Sequence, residues 1–287
     1  MKRLNAFFIL FTALLFVSCS SNDDSTPEPV AVPLLTGNYF PSNLNDLWIY
    51  NVESTNSEDA TLDFTETDLL TVNSTTGNNF TLEANNGTTP SNGTMSTFLV
   101  NGNLTRTDDS LLYNGSIEVP EELSDFFDTA IVINNAELYN LNAAVNEELF
   151  TNSGSETETL DLNGTMIPLT INYTLSTTKL NSSNTLTVDG EVFNDVIKSN
   201  MSLNMEVTAT FSVLGQQITR SVLDAQDVMS IDYYFSKNVG LIKADATQGY
   251  TINASFILFL EGLSIDIGLP TSVTITNNQE IDGYLLN

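Results

Sequence analysis

The chain has no histidine and a single cysteine in 287 residues. Without histidine there can be no Ser-His-Asp or Cys-His catalytic arrangement and no imidazole ligand for a metal. Lysine and arginine are nearly as scarce, 8 against 36 aspartates and glutamates, for a formal charge of −28. Nucleic acid is held by Lys and Arg clusters that neutralise phosphates, and the sequence contains none. An anionic membrane surface would repel the same acidic body, so attachment to a membrane needs a device other than charge. The G-x-S-x-G elbow and the G-x-x-x-x-G-K-[ST] loop are both missing. Asp161-Leu162-Asn163-Gly164 lacks the ligand spacing of a calcium loop and reads as a turn. With Asp and Glu plentiful, carboxylate-pair hydrolase chemistry stays open, but no short motif marks such a pair. The expectation is a non-enzymatic protein with no cofactor and no metal.

The sequence is rich in Asn, Ser and Thr, and in period-two alternation. From Ile197 to Val213 the odd positions read Ile, Ser, Met, Leu, Met, Val, Ala, Phe, Val, and the even ones are polar throughout. Alternation of this kind puts every apolar side chain on one face of a strand. At about 3.3 Å per residue such a strand is long enough that it must bend within a curved sheet. Shorter runs repeat the pattern around Leu47–Val52, Met166–Leu175, Met229–Phe235 and Tyr250–Leu260. Asn-Gly or Asp-Gly pairs at 86–87, 92–93, 101–102, 114–115, 163–164, 189–190 and 282–283 supply the residues of tight hairpin turns. The fold class expected is all-β: a curved antiparallel meander, either a half-open barrel or a sandwich, with one or two short helices. Pro120–Asp128 is the clearest helix pattern, with Glu121 and Glu122 in its first turn. Glu137–Leu149 is a weaker one.

The first nineteen residues carry a basic start at Lys2 and Arg3, an apolar segment from Ala6 to Val17, and Cys19. The segment is too short for a comfortable membrane span. Phe16-Val17-Ser18-Cys19 resembles a bacterial lipobox, with Phe16 where Leu is usual. The resemblance implies that residues 1–18 are a signal peptide and that Cys19 is lipidated; an ordinary signal peptide is the alternative. Each buried CH₂ of an acyl chain is worth about 0.8 kcal/mol, so several chains on one cysteine anchor firmly. Residues 19–35 then read as the lipidated end and an acidic, Pro-rich tether, and 36–287 as one β-rich domain. Ser20-Ser21-Asn22-Asp23-Asp24 resembles the acidic export signal of surface-exposed Bacteroidota lipoproteins. A protein facing the periplasm is the other possibility.

Val192–Lys198, Tyr233–Lys243 and the opening from Tyr39-Phe40-Pro41 to Trp48-Ile49-Tyr50 resemble segments of a group of Bacteroidota-type envelope lipoproteins. The match centres on Tyr-Tyr-Phe-Ser-Lys-Asn-Val-Gly-Leu-Ile-Lys, with Asn238 where glycine is common. The resemblance implies a curved sheet related to that of periplasmic lipoprotein carriers and brings no catalytic residue. Ser25, Ser110 and Thr129 stand in triplets that resemble Bacteroidota O-glycosylation sites. The leading expectation is an outer-membrane lipoprotein that binds or shelters an apolar or amphiphilic ligand. Candidate lining residues are Met201, Leu203, Met205, Phe211, Phe256 and Leu258, all of which would serve equally as core. A surface protein that binds glycan or a protein partner through loops is the alternative.

Overall fold

The computed structural model describes residues 36–117, 130–162, 165–213, 215–263 and 270–287. The first half is a meander of β1 (Leu47–Asn56), β2 (Phe64–Thr76), β3 (Asn79–Ala84), β4 (Gly102–Arg106), β5 (Ser110–Ile117) and β6 (Ile131–Asn140), with helix α1 (Thr94–Val100) between β3 and β4. A second run comprises β7 (Glu148–Leu162), β8 (Thr165–Lys179), β9 (Ser183–Val188), β10 (Glu191–Val213), β11 (Gln216–Ser236) and β12 (Gly240–Thr251), followed by helix α2 (Ala254–Gly262) and β13 (Ser272–Leu285). All ladders are antiparallel, in the order β6-β5-β4-β3-β2-β1-β13-β12-β11-β10-β8-β7, with β9 on β10. Strand β13 joins the two runs, pairing with β1 on one side and β12 on the other. The sheet curls into a nearly closed barrel.

The strand signalled by alternation is β10. It starts at Glu191, earlier than the alternation shows, and Asp195 at φ 50° is left out of the β9 ladder while the pairs on either side keep one register. Asp189 (φ 44°) and Gly190 (φ 83°) form the two-residue turn that joins β9 to β10, as Asp-Gly predicts. Met201, Leu203, Met205, Val207, Ala209 and Phe211 all turn inward and are buried. Ser199, the one polar residue in the inward row, faces Tyr233 across the β10–β11 ladder.

The two ends of the sheet meet without a ladder. A bulge in β6 leaves Leu138 outside the β5 register, and the Tyr233 hydroxyl donates to the Leu138 carbonyl at 2.8 Å. Thr177 Oγ1 donates to the Glu137 carbonyl at 2.7 Å. Lys179 Nζ donates to the carbonyls of Leu141 (2.8 Å) and Ala143 (2.7 Å), and Asn152 Nδ2 to that of Val132 at 3.0 Å. Side chains of β7, β8 and β11 thus supply donors to the open edge of β6.

One end of the barrel is filled by aromatics. The segment Tyr39-Phe40-Pro41 enters it, and Phe40 lies 5.2 Å from Trp48, 5.4 Å from Phe80 and 5.8 Å from Phe235 between ring centres. Trp48 Nε1 donates to the Val239 carbonyl at 2.6 Å, and Tyr50 donates to that of Leu241 at 2.9 Å. Gly240 sits at φ 109°, where a Cβ would lie 3.1 Å from Trp48 Nε1. The glycine of the Tyr233–Lys243 segment is therefore required by backbone conformation and by the indole against it.

Three expectations about helices change. Tyr250–Leu260 is a strand only to Thr251; from Ala254 it is helical, with Asn253 Oδ1 accepting from the amides of Ser255 (2.8 Å) and Phe256 (3.2 Å). An apolar run of this length fits either period, and the Asn cap decides it. Phe98 and Val100, whose alternation before the hairpin-turn pair Asn101-Gly102 suits a strand, lie instead in α1. Its first-turn amides are taken by side chains of β13, with Thr94 N donating to Asn277 Oδ1 and Ser96 N to Gln279 Oε1. Glu137–Leu149 is not helical but divides between the end of β6, a turn and the start of β7. The helix expected over Pro120–Asp128, the signal peptide, Cys19 and the tether lie outside the described residues.

Candidate functional site

At the end opposite the aromatic fill the barrel holds a cavity of about 520 Å³ that is partly open to solvent. Its wall consists of cross-strand rows set by the ladders. Leu203, Met229, Gln248, Ile275 and Asn56 form one row across β10, β11, β12, β13 and β1. Met201, Ile231, Ala246, Asn277 and Ser54 form the next row inward. Met229, Ile231, Gln248, Ile275, Asn277, Asn56 and Ser54 reach the cavity. Alanine at 246 and 244, in the middle of the sheet, keeps these rows shallow where neighbouring strands carry Ile, Met and Tyr. Helix α1 lines the opposite side through Thr94, Thr97 and Phe98, with Ile117 from β5 and Phe64 from β2 also in the lining. Phe98 is held by stacking on Tyr113 at 4.0 Å.

The polar groups divide into fixed and free. Asn277 is fixed: it accepts from Thr94 N at 2.9 Å and donates to the Asn92 carbonyl at 3.1 Å. Asp68, fully buried behind this corner, accepts from the Asn92 amide (2.8 Å), the Gly93 amide (2.8 Å) and Asn92 Nδ2 (2.8 Å). Those donors satisfy a buried carboxylate and pin the entry to α1. The Gln248 amide, half-buried between Met229 and Ile275, has no hydrogen-bond partner among the described residues. A buried or half-buried primary amide offers both donor and acceptor to a ligand. No charged side chain lines the cavity among the described residues.

Deep burial raises the tyrosine pKa values around the fill. Tyr39 is pushed up to about 12 by burial and by the nearby Asp195 charge. Tyr113 rises to about 12 through burial, against a smaller opposing effect of its bond to the Ser116 carbonyl. Burial also raises Tyr50, Tyr139 and Tyr233. Tyr50, Tyr113 and Tyr233 are neutral donors at physiological pH, and the buried Tyr39 hydroxyl has no hydrogen-bond partner among the described residues.

None of the six residues expected to line a site faces this cavity. Met201 and Leu203 stand one strand away, directly beside Ile231 and Met229, and with Met205 they are closed core. Phe211 packs on Phe259 (4.9 Å) and Phe256 (6.1 Å) under α2. Leu258 is 67% exposed on the outer side of that helix. Of the triplets considered for glycosylation, Ser25 and Thr129 lie outside the described residues, and Ser110 is buried with its hydroxyl donating to Glu137 Oε1. A glycan on Ser110 would have to open that strand end. The missed residues carried two signals: Asn277 and Gln279 at inward positions of an alternating strand, and the small pair Ala244 and Ala246 inside another.

Known proteins add nothing to this picture. Neither a protein-family model, nor a curated protein, nor a solved structure matches the chain.

Proposed function

We propose that this protein is a non-enzymatic lipoprotein of the outer membrane, anchored through Cys19, whose barrel takes up an apolar or amphiphilic molecule. The observation that carries the binding half of the reading is the cavity: about 520 Å³, within the roughly 300–1,000 Å³ of small-molecule sites. Apolar side chains at Met229, Ile231, Ile275, Phe98 and Ile117 offer an oily interior, and the amides of Gln248 and Asn56 stand in its outer row. At ~30 Å³ per water-sized group, the space holds roughly 17 non-hydrogen atoms. The anchoring half rests on the lipobox-like Phe16–Cys19 and the acidic stretch after it. No helix among the described residues is long and apolar enough to cross a membrane.

Two experiments test the halves separately. Metabolic labelling with palmitate should mark the chain and fail on Cys19→Ser; an unlabelled chain removes the anchor. Native mass spectrometry on protein purified from its own membrane should show a co-purifying lipid-sized mass, lost on Ile231→Trp. An empty cavity in that preparation speaks for binding of a glycan or protein partner through loops instead.

A further inference from the structure

We infer that the ligand of this cavity carries no charge: an aliphatic or ring body with a hydroxyl, ester or amide head, rather than a carboxylate or phosphate. The inference rests on the ligand-binding reading and narrows it to one class of molecule.

The first ground is the absence of a counter-ion in the described lining, and the engagement of the described basic residues elsewhere. Of the 8 lysines and arginines, Lys2 and Arg3 precede Cys19, and the others are engaged elsewhere. Arg106 donates to the Phe40 carbonyl at the aromatic end. Lys179 is held in the seam by the carbonyls of Leu141 and Ala143. Lys198 pairs with Asp232 at 2.7 Å, Lys237 with Asp195 at 3.9 Å and Lys243 with Glu280 at 2.8 Å. Arg220 lies over the Phe259 ring, 5.4 Å from its centre, beneath α2. An anionic head in an apolar enclosure needs a paired cation or several donors, or it protonates instead.

The second ground is what the lining does supply. Gln248 stands in the row between Met229 and Ile275, with its amide unengaged. Thr94, Asn101 and Ser116 add further uncharged polar groups to the lining; amides and hydroxyls match a hydroxyl or a carbonyl, and none of them carries the charge that would neutralise an ion. A head bound there leaves the chain against Ile231 and Phe98. The surrounding acids reinforce the choice, since a chain of net charge −28 repels anions before they reach the mouth.

Displacement of N-phenyl-1-naphthylamine, an uncharged fluorophore, tests this on the full chain carrying Cys19→Ser. The competitors are 1-dodecanol, dodecanoate and dodecylammonium at pH 7.5. The alcohol should compete at concentrations at least tenfold lower than either ion. The preference should persist at 1 M salt, where a Debye length of about 3 Å removes the surface field and leaves only the lining. Gln248→Leu should weaken the alcohol about five- to tenfold while leaving the fluorophore's own affinity within twofold. Gln248→Glu should retain the fold and bind the alcohol no better than Gln248→Leu does. Dodecanoate or dodecylammonium competing as well as the alcohol overturns the inference, as does a preference that vanishes in high salt. If the fluorophore and all three competitors fail to bind a folded protein, the ligand-binding reading itself falls, and this inference with it.

Discussion

Replacing Tyr233 with Phe tests how the barrel closes. The ring stays, with its edge contact to Phe235 at 5.7 Å, and only the hydroxyl is lost. That hydroxyl donates to the Leu138 carbonyl at 2.8 Å, and the β6 bulge has already removed Leu138 from the β5 ladder. The variant therefore leaves a buried carbonyl without its donor, at a cost of about 1–3 kcal/mol. For a domain of this size a mid-range loss of ~2 kcal/mol lowers Tm by about 4–8 °C. Thr177→Val removes the neighbouring donor to Glu137 and should cost a similar amount. Because the two acceptors are adjacent, the double variant should depart from additivity by about 0.5 kcal/mol or more. Urea unfolding followed by the fluorescence of Trp48, the single tryptophan, measures all three. Hydrogen exchange should show faster opening of Ile131–Asn140 in each variant. A Tyr233→Phe protein within 0.5 kcal/mol of the parent would mean that water serves the Leu138 carbonyl and that β6 is not seated on β11.

Phe40→Ala, at the centre of the aromatic fill, should cost about 3–5 kcal/mol, the usual range for a fully buried ring; a loss below 1 kcal/mol would show that the Tyr39-Phe40-Pro41 segment is not part of the core. Gly240→Ala, at φ 109° with Trp48 3.1 Å from the new Cβ, should destabilise by roughly 1–3 kcal/mol and shift the Trp48 emission. The buried tyrosines make stability fall in alkali. Their folded pKa values lie above the unfolded value of about 10, so their contribution is intact below pH 10 and is lost as pH rises through the folded values, about 12 for Tyr39 and Tyr113. Absorbance at 295 nm should show five of the nine tyrosines, Tyr39, Tyr50, Tyr113, Tyr139 and Tyr233, ionising only together with unfolding; smooth ionisation of all nine in a folded protein would contradict their burial.

The β class was legible because alternation is a local property. From Met201 to Phe211 every second residue is apolar and buried, as the sequence pattern requires. What local pattern could not carry was partnership across the chain. Helix α1 exists because Asn277 and Gln279, some 180 residues away, accept its first amides, and no signal within Thr94–Val100 announces this. Helix α2 was hidden by its composition, since a run apolar on all sides has no period to read, and only Asn253 distinguishes its start. The cavity escaped for a related reason. An apolar inward row can be closed core or open wall, and the difference lies in what stands opposite. Met201, Leu203, Ile231 and Met229 are all buried, and only the last two, direct ladder partners of the first two, stand against the cavity. Small residues and amides on inward positions of β12 and β13 are the signal a reader of this sequence should weigh more heavily.

The central claim is that an apolar molecule enters the barrel at Met229 and Ile231, and methyl-labelled methionine NMR tests it most directly. Met229 lines the cavity, Met205 is closed core and Met166 is 64% exposed on β8. Titration with 1-dodecanol should move the Met229 methyl resonance in a saturable way while Met205 and Met166 stay in place. Shifts confined to Met166, or none at any methionine, would contradict the account.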